Sequence, residues 1–151
     1  MANYTAADVK TLRDQTGAGM MECKKALDEA GGDLKKAAGL VEASGLVKAE
    51  KKADRETCQG YIASYTHSNG KIGALCELRC ETDYVAMNEE FRALAKDLAM
   101  QVAAYAPENE SGFLEEEMIK NPDQTVELAI KSLSGKIGEK IVLGKFARLA
   151  I

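Results

Sequence analysis

An Asn-Gly pair between two alternating runs is the feature that most constrains the fold of this chain. Apolar and other side chains alternate over residues 61–66 and 72–78, and Asn69-Gly70 lies between the two runs. This arrangement is typical of a tight turn that joins two antiparallel strands. A two-residue turn at Asn69-Gly70 makes Ser68 face Lys71 and so fixes the register of the hairpin, which agrees with the hydrophobic pattern. The register places six residues on one face, in the pairs Tyr61–Leu78, Ala63–Cys76 and Tyr65–Ala74.

The hairpin needs further structure around it, because two strands alone are at best marginally stable in water. Residues 141–143 and 146–149 are apolar enough to form a third strand that pairs with the hairpin. Apolar residues at helical spacing predict one amphipathic helix from about 88 to 105, which Pro107 ends, and another from 125 to about 136. The sequence therefore predicts an α+β core in which helices pack on a three-stranded antiparallel sheet.

The first 50 residues are typical of three short helices separated by glycines. Thr5 and Asp8 form a capping-box-like start of the first helix, and residues 17–19 end it. A second helix is expected from about residue 20 to 30. Asp33 caps the third helix, which we expect Gly45 to close. Because so few large side chains are available, this unit has a very small core, and its natural role is docking.

A shift in composition divides the chain in two. Residues 46–56 are mostly Lys, Ala and acids, which is typical of a linker with helical tendency. We therefore expect a three-helix docking module over residues 1–50, a linker at about 46–56 and an α+β core over residues 57–151. Lys48 to Lys52 is the most basic stretch, and the acids beside it favour a solvated helix face over a nucleic-acid site.

Charge and hydropathy exclude several classes of protein. A net charge of −4 and an isoelectric point of about 5.2 argue against a nucleic-acid binder, which needs a basic surface. No apolar run approaches the roughly 20 residues that a membrane span requires. The N-terminus lacks the basic and apolar regions of a signal peptide. We expect a cytoplasmic protein that binds neither nucleic acid nor membrane.

Residues suited to catalysis, metal binding or cofactor binding are scarce. His67 is the single histidine, so few bases are available to activate a nucleophile. Cys76 and Cys80 are four apart on an expected strand, which separates their sulfurs by roughly 13 Å, too far for a shared metal ion or a disulfide. Neither glycine-containing stretch, 17–19 or 135–138, completes a phosphate-binding motif. We expect four buried free thiols, no cofactor, no metal and no enzyme activity; a thiol-based redox protein is the weaker rival.

Residues 82–86, Thr-Asp-Tyr-Val-Ala, lie in a loop between a predicted strand and a predicted helix. Two interpretations apply. Thr82 or Asp83 caps a helix against which Tyr84 packs, or Tyr84 protrudes with an acid beside it and fills a pocket of a partner.

Two stretches of the chain resemble the signatures of a known family. Residues 9–27, Val-Lys-Thr-Leu-Arg-Asp-Gln-Thr-Gly-Ala-Gly-Met-Met-Glu-Cys-Lys-Lys-Ala-Leu, and residues 81–86, Glu-Thr-Asp-Tyr-Val-Ala, are similar to the two signatures of elongation factor Ts. They occur in the expected order and separation, with residues 51–56 between them, and the resemblance resumes over residues 135–142. It implies an N-terminal three-helix module of ubiquitin-associated type followed by an α+β core with a three-stranded antiparallel sheet.

The resemblance also implies an activity and the residues that carry it. The family promotes guanine-nucleotide exchange on the translational GTPase elongation factor Tu during polypeptide elongation, without covalent catalysis. The docking module would contact the GTPase through the residues Arg13, Met20, Met21 and Lys24, although one methionine could instead belong to the helix core. A second contact, an insertion between helices of the GTPase, would be carried by the residues Thr82, Asp83, Tyr84 and Val85.

Two further features follow from the resemblance. The family more often has Phe where Tyr84 stands, and short members can pair through their core sheets, so a homodimer is a plausible second assembly. The alternative class is a helical adaptor module fused to an α+β protein-interaction domain that has no exchange activity.

Overall fold

The computed structural model describes residues 3–151, so Met1 and Ala2 of the expected docking module lie outside the described residues. The fold has the α+β arrangement that the sequence predicts, with three helices first and a three-stranded antiparallel sheet after them. The elements are α1 (Ala6–Thr16), α2 (Met20–Glu29), α3 (Leu34–Glu50), β1 (Gln59–Thr66), β2 (Ile72–Cys80), α4 (Asp83–Ala86), α5 (Glu89–Tyr105), α6 (Glu110–Glu115), β3 (Glu117–Met118), β4 (Asn121–Thr125), α7 (Val126–Ile137) and β5 (Val142–Ala150).

The three N-terminal helices begin at the caps that the sequence predicts. The hydroxyl of Thr5 accepts the Asp8 N–H, and the Asp8 carboxylate accepts the Thr5 N–H at 2.7 Å, which completes the capping box. Gly17 ends α1 with φ at 69°, in the left-handed region that glycine adopts readily. Asp33 caps α3. The apolar faces of these helices form a small separate core of Val9, Leu12, Cys23, Ala26, Leu27, Ala37 and Val41.

The prediction that Gly45 closes α3 is wrong, because the helix continues to Glu50. Gly45 lies where α3 crosses α7, and a Cβ added to Gly135 of α7 would come within 2.6 Å of the Gly45 Cα. Glycine is needed here for the close approach of two backbones and not to end a helix. The expected linker is therefore helical over its first part, up to Glu50.

The hairpin has the predicted register but a different turn. Tyr61 pairs with Leu78, Ala63 with Cys76 and Tyr65 with Ala74. The last hydrogen bond joins the His67 N–H to the Ile72 carbonyl, so four residues form the loop, and only Gly70 takes a positive φ in it. A two-residue and a four-residue loop centred on the same peptide bond give the same pairs, which is why the register is right although the two-residue turn is wrong.

The third strand and the helix that covers the sheet also lie where the sequence predicts. β5 pairs with β2 in antiparallel orientation, and the sheet order is β1-β2-β5. α5 packs on this sheet through Phe91, Leu98 and Val102, which are fully buried. Phe113 and Phe146 meet edge to face, with 5.1 Å between their ring centroids. This second core is separate from that of the N-terminal helices.

Residues 107–125 contain three short elements that the sequence does not predict. α6, β3 and β4 are short, and Pro122 within β4 conceals the strand pattern. Gln101 of α5 is fully buried, and its amide donates to the Glu117 carbonyl and accepts from the Ile119 N–H. This side chain attaches the irregular segment to the core, because each of its polar atoms finds a backbone partner.

Candidate partner-binding surfaces

Met20 and Met21 begin α2, and both side chains are exposed, at 54% and 77%. Neither belongs to the helix core, whose α2 members are Cys23, Ala26 and Leu27. Lys24 lies three and four residues further along the same helix, so the three side chains share one side of it. They form an apolar surface with a cation beside it.

Arg13 lies in the last turn of α1, which packs beside α2. Its side chain and that of Lys24 are exposed, and neither forms an ion pair with any residue from 3 to 151. Two unpaired cations on adjacent helices are available to an acidic partner.

The second surface is the start of the four-residue helix α4. Thr82 is its N-cap, and the Thr82 hydroxyl accepts the Val85 N–H. Tyr84, however, is 82% exposed and does not pack against the helix, whereas Val85 is 5% exposed and belongs to the core. The two interpretations of this stretch are therefore both correct in part: it begins a helix, and its aromatic side chain protrudes. Val85 is not available for contact on the surface of the free protein and instead anchors the loop.

The backbone that carries Tyr84 is held by Glu139, which lies 57 residues beyond Thr82 along the chain. One carboxylate oxygen of Glu139 accepts the N–H groups of Glu81 and Thr82, both at 3.0 Å, and the other accepts the Thr82 hydroxyl. In return the Glu81 carboxylate accepts the Lys140 N–H at 2.7 Å, and this hydrogen bond lowers the pKa of the Glu81 carboxyl from its ordinary value. The sequence does not predict a role for Glu139, because no local pattern signals a contact between segments so far apart.

The two surfaces lie on different elements and do not form a single site. A cleft of about 850 Å³ separates the N-terminal helices from the core, between α3, α5 and α7. Lys52 lines this cleft and is only 8% exposed, so the expectation of a solvated helix face is wrong at this residue. Burial lowers the pKa of the Lys52 ammonium. Lys48 instead pairs with Glu22 at 2.6 Å and joins α3 to α2.

The cysteines are free thiols in two environments. Cys23, Cys76 and Cys80 are buried, whereas Cys58 is exposed, so the expectation of four buried thiols is wrong at Cys58. Burial raises the pKa of the Cys76 thiol to about 12 and that of the Cys80 thiol to about 11. Within residues 3–151, no group of three or more His, Cys, Asp or Glu side chains is placed to hold a metal ion. In the same part of the chain, no helix is both long and apolar enough to span a membrane.

A family model and several named proteins resemble this chain. The model of the family described as Elongation factor TS matches residues 81–151. Elongation factor Ts of Desulforamulus reducens is 40% identical over an alignment 193 positions long, which covers 98% of this chain and 89% of the relative. Its counterpart in Solidesulfovibrio magneticus is 38% identical over 196 residues, with 100% and 98% covered. That of Oleidesulfovibrio alaskensis is 62% identical over 107 residues, which are 71% of this chain and 54% of the relative.

Proposed function

Because this chain belongs to the elongation factor Ts family, we propose that it is a guanine-nucleotide exchange factor for the translational GTPase elongation factor Tu, and that it promotes GDP release during polypeptide elongation. One observation carries the proposal: the large aromatic side chain of Tyr84 is 82% exposed on a backbone that Glu139 holds in place. An exposed aromatic contributes little to its own fold, and it is the kind of side chain that anchors a protein interface.

Exchange of this kind needs no covalent step. A factor that binds the nucleotide-free GTPase more tightly than the GDP-bound form weakens GDP binding by the same ratio, because coupling between two ligands is reciprocal. We infer that Asp83 and Tyr84, beside Thr82, insert between helices of the GTPase. The insertion shifts the elements that hold the magnesium ion and the phosphates of GDP, and GDP then leaves.

The N-terminal surface supplies the second contact in this proposal. Met20 and Met21 are flexible and apolar, which suits an adaptable docking surface, and Arg13 and Lys24 would pair with acidic groups on the GTPase. Two contacts on one rigid protein bind more tightly than either alone. Arg13→Ala and Lys24→Ala should each weaken the complex, measured by titration calorimetry, while the melting temperature of the free protein stays the same.

We also propose that residues 1–50 are a docking module and residues 57–151 a core, a division that the two separate hydrophobic clusters support. The outer face of the sheet exposes Ile62, Leu75 and Leu149, which suits pairing of two copies through their sheets. Analytical ultracentrifugation over a range of concentrations tests this: a wild-type dimer that Leu75→Lys converts to a monomer supports the pairing, and a wild-type monomer at all concentrations rejects it.

The exchange proposal is tested by the dissociation of a fluorescent GDP analogue from elongation factor Tu in the presence of excess unlabelled GDP. We expect the observed rate constant to rise with the concentration of this protein, by about tenfold or more at saturation, because coupling between two ligands usually changes an affinity by this much and such a change appears mostly in the dissociation rate. The rise should also occur when the protein is substoichiometric. An unchanged rate constant, with a complex detected by gel filtration, would favour the helical adaptor without exchange activity.

A further inference from the structure

We propose that Glu139 is a positioning residue for nucleotide exchange, because its carboxylate fixes the backbone from which Asp83 and Tyr84 project. The inference rests on the proposed exchange function and names a residue whose carboxylate is taken up by hydrogen bonds to Glu81 and Thr82. The observation behind it is a set of hydrogen bonds between residues 81–82 and residues 139–140. We call this set of hydrogen bonds the junction.

The Tyr84 side chain has little else to fix its direction. Within residues 3–151 its hydroxyl forms no hydrogen bond, and the side chain is 82% exposed. Its direction is therefore set by the backbone of α4, which has only four residues. So short a helix is not stable by itself, because the first turn fixes several dihedral angles for a single hydrogen bond. The position of Tyr84 thus depends on what holds the start of α4.

Glu139 holds that start from one side, and Glu81 holds Lys140 from the other. The Glu139 carboxylate accepts two backbone N–H groups and one hydroxyl from Glu81 and Thr82, and Thr82 is the N-cap of α4. The Glu81 carboxylate accepts the Lys140 N–H at 2.7 Å and is paired with Arg55 at 3.2 Å. Hydrogen bonds to a charged acceptor are the stronger kind, so the junction fixes the register of the two segments.

The junction is continuous with the contact between the N-terminal helices and the core. Glu139 follows Gly138, the left-handed residue that ends α7, and the Ser134 hydroxyl donates to the Glu139 carbonyl. Gly135, four residues before Glu139, meets Gly45 of α3. The Lys140 ammonium also donates to the carbonyls of Ala53 and Arg55, in the segment that follows α3. One end of α7 therefore contacts both the N-terminal helices and the backbone that carries Tyr84.

The test compares Glu139→Ala, Glu139→Gln and the control Glu127→Gln in the GDP-release assay. Glu127 lies at the other end of α7, in an exposed pair with Lys131. We expect Glu139→Ala to lower the maximal rate constant at saturating factor by about tenfold or more, because Tyr84 is then no longer held where it inserts, and loss of an aromatic interface anchor has an effect of this size. The half-saturating concentration should rise as well, but less than in Tyr84→Ala, because the aromatic side chain is misplaced and not removed and the N-terminal contact is intact. Glu139→Gln keeps one acceptor oxygen for the two N–H groups but loses the charge and the acceptor for the Thr82 hydroxyl, so it should recover only part of the rate.

A double-mutant cycle with Tyr84→Ala separates positioning from general stability. If Glu139 acts through Tyr84, Glu139→Ala should lower the rate less than about twofold in the Tyr84→Ala background, since the two effects are then not additive. The same fractional loss in both backgrounds would overturn the proposal, as would a normal rate for Glu139→Ala. If Glu139→Ala does not fold, Glu139→Asp, whose shorter side chain withdraws the carboxylate from Thr82, replaces it in the cycle.

Amide hydrogen exchange gives a readout that does not depend on the GTPase. Glu139→Ala should speed exchange at the Glu81 and Thr82 amides by about tenfold or more, with the amides of β1 unchanged, because only the local opening free energy falls. If the wild-type protein does not speed the release of GDP from elongation factor Tu, the exchange function is rejected. The amide measurement still decides whether Glu139 holds the loop. Unchanged protection of both amides would show that it does not.

Discussion

Tyr84 and Val85 are neighbours in the sequence, yet one is 82% exposed and the other 5% exposed. At the scale of single residues, this contrast defines the candidate exchange site. Because Val85 is anchored in the core, its neighbour Tyr84 can project into solvent without destabilising the fold. The amino-acid pattern left two interpretations of this stretch open, because a capped helix start and a protruding aromatic use the same residue types. Only the tertiary packing of Val85 shows that both occur together.

Substitution of Asp83 and Tyr84 should affect exchange far more than stability. Tyr84→Ala should cost about 2 kcal/mol or more in the complex, the scale of an interface hot spot, and little in the free protein. Tyr84→Phe should retain near-normal exchange if the aromatic ring supplies the contact, and a clear loss would show that the hydroxyl forms a hydrogen bond in the complex. The measurements are GDP dissociation against factor concentration and thermal melts of each variant. Normal catalysed release in both Asp83→Ala and Tyr84→Ala would remove this pair from the site.

The thiols should react in two classes. At pH 8, one thiol per chain should react rapidly with a disulfide reagent and three only after denaturation, because Cys58 alone is exposed. Burial raises the pKa of Cys76 to about 12 from the usual 9.0, so this group adds stability that is fully present below pH 9.0 and is lost as pH rises toward about 12. For the thiol-reagent experiment, Cys58→Ser is the control variant, and it should abolish the rapidly reacting class of thiol. Rapid reaction of two or more thiols would revive the redox alternative.

At the scale of helices and strands, the hairpin shows what the sequence could predict and why. Its register depends on local turn chemistry and on the alternation of side chains, and both can be read from adjacent residues. The end of α3 could not be predicted in this way, because Gly45 has a role that only its contact with Gly135, 90 positions later, explains. β3 and β4 could not be predicted from the sequence, because β3 has only two residues and β4 contains a proline, so neither shows the alternation of side chains that is typical of a strand.

The crossing of α3 and α7 predicts opposite effects for three glycine substitutions. Gly135→Ala should lower the free energy of unfolding by about 1–3 kcal/mol, because its Cβ would come within 2.6 Å of the Gly45 Cα and the backbones must separate. Gly39 lies in α3, the helix of Gly45, but there is open space around a Cβ added to it. Gly39→Ala should therefore stabilise the protein by about 0.5–1 kcal/mol. Gly45→Ala, at ordinary contact distance, should lie between them. Denaturant unfolding measures all three, and equal effects at Gly39 and Gly135 would contradict the close crossing.

At the scale of the whole molecule, the chain has two hydrophobic cores and one candidate surface on each. The α+β class and the separate N-terminal helices could be predicted from periodicity and caps. The residues of the two surfaces could be predicted only from family resemblance, because exposed methionines and a loop tyrosine have no pattern that distinguishes a binding role. The role of Glu139 could be predicted neither from periodicity nor from the resemblance, since its partners are distant in sequence.

Removal of residues 1–50 should leave the core folded, because the cluster that includes Phe91, Leu98 and Val102 has no member among them. Its stability should fall, since α7 loses its contact with α3, and binding to the GTPase should weaken strongly as one of two contacts is lost. Circular dichroism and titration calorimetry measure the two effects. A full-length control, Met21→Ala with Arg13→Ala, should weaken binding without the loss of stability. An unfolded truncated chain would show that the boundary at residues 46–56 is misplaced.

The close approach of Gly45 and Gly135 has a mechanical consequence for exchange. Two backbones in contact, without side chains between them, leave no soft layer that could be compressed or sheared. At this crossing, α3 and α7 cannot move closer together. If the pockets of the GDP-bound GTPase are spaced more closely than the two surfaces of this protein, we expect the misfit to strain the GTPase and not this crossing.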